Sequence, residues 1–249
     1  MKNIIKSLFV LSILLYRAES MDDEYMNIIK ECDQNSMTFV HGIMFSGKSR
    51  ALISIHDYLK DRDDVNVIAF ANRRDENSRD LVIRSRDMRR SLCAYPIENL
   101  ERTVNIISEF DLSKKTYLIF DESQFIGRSY LDDMRDFLNN NRGIHACFFG
   151  LNVDVFGEFF EGSEWFDEHK REKGICLIPI KSRALCPCGQ NATFSIRCNE
   201  RGDVDTMGTQ IILEGGIMRY GVRCDDHKSQ GLEWERLVDI CGYIEYSNC

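Results

Sequence analysis

The chain has 249 residues, 43% of them hydrophobic, which is enough for one sizeable core and a small appended module. A net charge of -8 argues against a general nucleic-acid surface, so no direct nucleic-acid binding is expected. The one basic cluster, Arg84, Arg86, Arg89 and Arg90, reads as a solvated face among Asp and Glu residues, with a phosphate or subunit contact as the alternative.

At the N-terminus, Lys2 and Lys6 precede an apolar run from Leu8 to Tyr16, and Ala18-Glu19-Ser20 resembles a cleavage site. The run is too short to span a bilayer, so stable membrane insertion is not expected. Met21 opens a second start, followed by Asp22-Asp23-Glu24. An export signal would conflict with the nucleotide loop and paired cysteines further on. Residues 1–20 therefore read as a non-core extension of a cytoplasmic protein, with export or targeting left open by the segment itself.

Thr38-Phe39-Val40 reads as a buried strand and Ala51-Leu52-Ile53-Ser54-Ile55 as part of a helix. Between them, Gly42-Ile43-Met44-Phe45-Ser46-Gly47-Lys48-Ser49 fits the pattern G-x-x-x-x-G-K-[ST]. A strand, a glycine-bent loop and a helix in that order aim successive N–H groups at one point, where phosphate oxygens can sit. Lys48 would reach the β- and γ-phosphates of ATP, and the Ser49 hydroxyl would ligate Mg2+. A glycine-rich turn that binds nothing is the competing reading.

Val65 to Ala71 is a second buried strand, and Leu100, Val104, Ile107 and Phe110 mark a helix within Glu98 to Phe110. Tyr117-Leu118-Ile119-Phe120 is a third strand, ending at Asp121-Glu122. Leu131, Met134, Phe137 and Leu138 mark the next helix, stopped by Asn139-Asn140-Asn141-Arg142-Gly143. His145 to Leu151 and Gly174 to Ile180 complete the strands. This alternation predicts an α/β fold, a mostly parallel sheet with helices on both faces. Ligands of such sheets bind beyond the carboxyl ends of the strands, where Asp121 would anchor Mg2+ and Glu122 would accept a proton from an attacking hydroxyl.

Past Pro179 the chain becomes Gly-rich and cysteine-bearing, with too few apolar residues for a core of its own. Such a piece needs a staple. Cys186 and Cys188, then Cys224 and His227, offer a Cys3His donor set for structural Zn2+, with free cysteines in a packed turn as the competing reading and Cys198 in reserve because C-x-C is tighter than the usual C-x2-C. The scattered Cys32, Cys93, Cys147 and Cys176 read as small core residues. Cys241 and Cys249, in the tail, carry no assignment.

Together these residues resemble the thymidine kinase family of cytosolic and bacterial type, over roughly Phe39 to His227. Gly42 to Ser49 is close to the family's G-P-M-F-S-G-K-[ST], and Asp121-Glu122-Ser123-Gln124-Phe125 matches D-E-[AG]-Q-F. Gly150-Leu151-Asn152-Val153-Asp154 continues as the family's L-D-x-D-F segment does. Gly215-Gly216, Tyr220 and the late Cys and His residues match its zinc-held lobe.

The resemblance implies a P-loop NTPase-like fold and transfer of the γ-phosphoryl of ATP to the 5′-hydroxyl of thymidine or deoxyuridine, with Mg2+. It implies Glu122 as general base and a nucleotide site of Gly42, Ile43, Met44, Phe45, Ser46, Gly47, Lys48, Ser49, Asp121 and Gln124. Met44, Phe125, Leu151, Val155, Phe156 and Tyr220 would line the nucleoside pocket. The implied division is an extension (1–35), a nucleotide-binding α/β domain (36–180), a zinc-binding lobe with a substrate-covering loop (181–228) and a tail (229–249). The implied assembly is a homotetramer or a homodimer.

The chain departs from the family pattern on the nucleoside side. Ile43 replaces a proline, and in the L-D-x-D-F-R-G-x-P-F segment Val155 replaces the aromatic, Phe156 the arginine and Phe159 the proline. In the family's D-x-R, Arg79 keeps the arginine while Asn77 stands for the aspartate, and Arg86 stands for the histidine of S-H-D. These changes leave open a protein that binds nucleotide without transferring phosphoryl and serves a regulatory or structural role. A plain ATPase has no further motif in its favour.

Overall fold

The computed structural model describes residues 23–72, 81–85, 90–181, 184–199, 202–204 and 219–229. Arg79, Asn77, Arg86, Arg89, Gly215, Gly216, Cys241, Cys249 and residues 1–20 lie outside the described residues.

Compact apolar runs become strands because a parallel strand buried on both faces has no polar side to alternate with. They are β1 (Met37–His41), β2 (Val65–Ala71), β5 (Tyr95–Pro96), β6 (Lys115–Asp121), β7 (Ile144–Gly150) and β8 (Ile175–Pro179). They form one parallel sheet in the order β5-β2-β6-β7-β1-β8. The short pair β3 (Val82–Arg84) and β4 (Ser91–Cys93) is antiparallel and separate from it.

Helices cover both faces. One face packs Tyr117, Ile119 and Phe149 against α1 (residues 23–34) and α2 (Lys48–Lys60). The other packs Leu118, Phe120 and Phe148 against α3 (Leu100–Ile107), α4 (Arg128–Asn140) and α5 (Glu161–His169). On this second face, Phe70, Phe120, Phe148, Phe166 and Phe39 run ring on ring at centroid distances of 4.6–5.1 Å. Offset aromatic contacts of this kind add to what the buried area alone contributes. The start of α3 is fixed by Asn99, whose side-chain oxygen accepts from Arg102 N at 2.8 Å.

The sequence reading did not anticipate α1. Its Tyr25, Ile28, Ile29 and Cys32 sit at helical spacing and are buried in the core. Cys32 is joined by a disulfide to Cys147 on β7. The expectation for the scattered cysteines therefore needs correction. Cys32 and Cys147 are buried and bonded to each other, Cys176 is only partly buried, and Cys93 is exposed.

Beyond β8, β9 (Phe194–Cys198) and β10 (Arg219–Arg223) make an antiparallel ribbon. No helix among the described residues is long and apolar enough to cross a membrane.

Candidate functional site

The sheet order sets β1, β7 and β6 side by side, so the loops leaving their carboxyl ends meet. After β1, the chain turns through Gly42 to Gly47, and α2 begins at Lys48. Gly47 caps the helix at φ 96°, a left-handed conformation that a side chain would strain. Lys48 arches back over the loop, its Nζ donating to the carbonyl oxygens of Gly42 at 3.0 Å and Ile43 at 2.7 Å. Burial and the nearby Lys48 charge push the His41 imidazole below its usual pKa.

The end of β7 closes on this loop through a backbone bond. Gly42 N donates to Gly150 O at 3.3 Å. Asp121 is buried at the tip of β6, and Glu122 follows in left-handed backbone geometry, φ 52°. Among the described residues only Phe45 and Glu122 combine a side chain with positive φ, and both belong to this site. Such strain persists where surrounding contacts hold it, and it gathers at functional positions. Here Asn72 Nδ2 donates to Glu122 O at 2.9 Å, and Gln124 Nε2 donates to Glu122 Oε2 at 2.7 Å.

The segment after β7 is a tight turn built on Asp154. Its carboxylate accepts from Phe156 N at 2.7 Å and Glu158 N at 2.9 Å, while Val153 and Phe159 bridge across it. Leu151 at its root donates its N–H to Gln124 Oε1 at 3.0 Å. Phe125 is 40% exposed and meets Phe160 edge to face at 5.6 Å.

The ribbon roofs the site. Residues paired across antiparallel strands share a face, so Ser195 with Val222 and Arg197 with Tyr220 all lie on one side. That side meets the glycine-rich loop after β1. Ser195 Oγ accepts from Met44 N at 2.9 Å, and Val222 packs with Ile43, Met44 and Phe45. The fully buried Arg197 sets its guanidinium 5.3 Å from the Phe156 ring centre. Tyr220 is half-buried on the same face.

Cys186, Cys188, Cys224 and His227 come together at the far end of the lobe, each with one donor atom within 4.8 Å of the others. The C-x-C spacing is accommodated by a hairpin in which Leu185 bridges Asn191 and Gly189 N donates to Cys186 O. Cys188 Sγ and Cys224 Sγ are 3.7 Å apart. That separation is close to the edge of a tetrahedron with zinc–sulfur bonds of about 2.3 Å. Burial alone would raise the Cys186 thiol pKa, but hydrogen bonds from the backbones of Cys188 and Cys224 lower it, while burial and the two other thiols raise Cys224. Thiolate character at one sulfur and an imidazole nearby suit a thiophilic cation. The donor set therefore fits a structural zinc. Cys198, the reserve ligand, is not in the set. It points to the opposite face of β9 and packs with Ile196 and Val204.

The sequence reading missed Asn72, Ser195 and Arg197. They belong to no motif, and only packing brings them to the site.

Fold and site define an α/β protein whose parallel sheet presents a glycine-rich phosphate-type loop beside strand-end carboxylates, roofed by a Cys3His lobe. The sequence profile described as thymidine kinase matches residues 35–228, and the chain belongs to the thymidine kinase family. It is similar to the thymidine kinase of Legionella pneumophila strain Philadelphia 1, with 29% identity over 55% of this chain and 63% of the relative. The thymidine kinase of Mannheimia succiniciproducens is 37% identical over 45% of this chain and 54% of its own length. That of Vibrio vulnificus strain YJ016 is 26% identical over 79% and 97%. The match thus spans less than two thirds of the Legionella and Mannheimia relatives.

Proposed function

We propose that the protein transfers the γ-phosphoryl of ATP to the 5′-hydroxyl of thymidine or deoxyuridine. One observation carries this reading. A continuous hydrogen-bonded path runs from the Gly42 loop through Gly150 and Leu151 to Gln124 and Glu122, tying the phosphate loop to a strained carboxylate. The strands bearing the two ends, β1 and β6, are separated only by β7. That gap is roughly 9–10 Å, room for a phosphoryl group between a bound triphosphate and an acceptor hydroxyl.

In this reading the N–H groups of Gly42 to Ser49 and the Lys48 ammonium hold the β- and γ-phosphates. Ser49 and Asp121 would hold Mg2+, which neutralises charge on the phosphate oxygens. Glu122 takes the proton of the 5′-hydroxyl as the new oxygen–phosphorus bond forms and the bond to the β–γ bridging oxygen breaks, releasing ADP. Met44, Phe125, Leu151, Val155, Phe156 and Tyr220 enclose the nucleoside. The unit from 36 to 180 does the chemistry, and the zinc-held unit from 181 to 228 covers the substrate. A homotetramer is the assembly that fits the family.

The test is thymidine-dependent ADP release from the purified full-length protein, with Lys48→Ala beside it. Lys48→Ala should lower turnover by about 10²–10³-fold by removing a cation at the transferring group. Turnover that ignores thymidine, or is unchanged in K48A, would remove the proposal. The second reading, nucleotide binding without transfer, draws on Phe156, whose apolar ring lies where the family carries an arginine. Tight Mg-ATP binding with no nucleoside-dependent ADP release would favour it.

A further inference from the structure

The peptide unit that joins Ile43 to Met44 is gripped from both sides. Its carbonyl oxygen accepts from Lys48 Nζ at 2.7 Å, and its N–H donates to Ser195 Oγ at 2.9 Å. A trans peptide is planar and points its C=O and N–H in opposite directions, so the two partners stand on opposite sides of the chain. Lys48 opens α2 and folds back over the loop, where it also donates to Gly42 O at 3.0 Å. Ser195 comes from β9, 151 residues further along, and is 7% exposed. One side chain of the lobe thus sets which way this peptide faces, with its carbonyl toward Lys48 and its N–H away from it.

The surroundings hold the same arrangement. Val222, opposite Ser195 in the ribbon register, packs with Ile43, Met44 and Phe45, so the bond lies under apolar cover. A Cβ at Gly42 would stand 2.7 Å from Ile180 Cγ2 and 2.9 Å from Ser46 Oγ, so the loop already lies against the chain that leads from β8 into the lobe. Without the serine hydroxyl, the N–H of the half-buried Met44 loses its partner, and rotating the peptide to find another becomes favoured. That rotation would take the Ile43 carbonyl away from Lys48.

We propose that Ser195 is a positioning residue, a latch from the lobe that fixes the plane of the Ile43–Met44 peptide and through it parks the Lys48 ammonium over the glycine-rich loop. The consequence for phosphate binding rests on the proposed reading of Lys48 as the cation that meets the β- and γ-phosphates. The latch itself does not. On that reading the ammonium exchanges carbonyl oxygens for phosphate oxygens while the loop keeps its shape, and binding loses less to ordering.

The test uses the full-length protein without nucleoside. In Ser195→Ala, hydrogen exchange at the Met44 amide should quicken by about tenfold or more. The Thr193 amide, bonded to Arg223 O at 2.8 Å, should stay protected and so report an intact ribbon. Ser195→Thr keeps the hydroxyl and should restore Met44 protection. Mg-ATP affinity should fall about three- to tenfold in Ser195→Ala and hold in Ser195→Thr. Because the latch acts through Lys48, adding Ser195→Ala to Lys48→Ala should weaken Mg-ATP further by less than about twofold, where an independent contribution would cost the full factor again. In a structure of the unmutated protein with Mg-ATP, the Met44 N–H should still face Ser195, a readout that depends on no variant folding. A Met44 amide equally protected in Ser195→Ala, a full-sized loss in the Lys48→Ala background, or a Met44 N–H turned onto a phosphate would each overturn the proposal, whether or not thymidine is phosphorylated. Loss of Met44 protection in Ser195→Ala, in a protein that never binds Mg-ATP, would keep the latch and sink the nucleotide reading instead.

Discussion

On one face of the sheet, four phenylalanines from its strands and Phe166 from α5 make a continuous run of ring contacts, and both faces are sealed by helices. In the lobe, the apolar residues buried among the described ones are a few small side chains, Ala184, Ala192 and Val222 on one side and Ile196 with Cys198 on the other. The first region is held by burial, at roughly 25 cal/mol per Å² of apolar surface. The second has too little such surface and holds four metal-type donors within 4.8 Å instead. The difference bears on the site because the glycine-rich loop lies on the seam, taking its backbone from β1 and its cover from β9 and β10.

The largest expected effect separates the two regions outright. Structural zinc in small motifs contributes on the order of 10 kcal/mol to folding. Chelation should therefore abolish amide protection in residues 184–229 while the sheet stays protected, and metal analysis should return about one zinc per chain. A lobe that exchanges no faster after chelation, in protein shown to be metal-free, would mean that packing alone holds it. Glu122→Gln comes next. It keeps shape but loses the base, so turnover should fall by about 10²–10⁴-fold with Mg-ATP binding intact. A loss under about tenfold, in an assay limited by chemistry, would leave Glu122 only positioning the sugar, since a loose phosphoryl-transfer transition state asks less of a base.

A smaller effect concerns the helix packed on one face of the sheet. The Cys32–Cys147 disulfide ties α1 to β7, and Asp33 accepts a hydrogen bond from the Tyr117 hydroxyl and pairs with Lys115 at 2.7 Å. Cys32→Ser should cost about 2–4 kcal/mol in denaturant unfolding, measured against oxidised protein. Equal midpoints under oxidising and reducing conditions would show that the burial of Tyr25, Ile28 and Ile29 suffices to dock the helix.

The same contrast explains what the sequence disclosed. Val65–Ala71 was legible residue for residue because a strand buried on both faces is a nearly unbroken apolar run, interrupted here only by Asn66. The Cys3His cluster was legible because ligand spacing is local, whereas the exclusion of Cys198 depends on which face of β9 it occupies. The helix at 23–34 carried a visible 25, 28, 29, 32 spacing, but its acidic start and the apolar run before it drew the reading toward an extension. The three-residue β3 and β4 are too short to leave a periodic signal. Least legible was the seam. Met44 meets Ser195 across 151 residues and Asn72 meets Glu122 across 50, and neither pair has a local signature.

The smallest effect tests whether the altered residues of the seam are losses or a rebuilt arrangement. Simple erosion predicts that Val155→Phe and Phe156→Arg each restore function. The structure predicts opposite signs. Val155 is partly buried, and an aromatic ring there would add a stacking face worth about 1 kcal/mol, so Val155→Phe should lower the thymidine KM about fivefold. Phe156 already lies under the buried Arg197 guanidinium. Phe156→Arg would exchange a cation–π contact for two like charges in a region of low dielectric, so it should loosen β9 and raise the KM. Adding Arg197→Met to that variant should recover part of the loss, because the repulsion then has no second partner. If Phe156→Arg alone improves thymidine turnover, Arg197 is no substitute for the missing charge, and the nucleoside side of the site is simply worn.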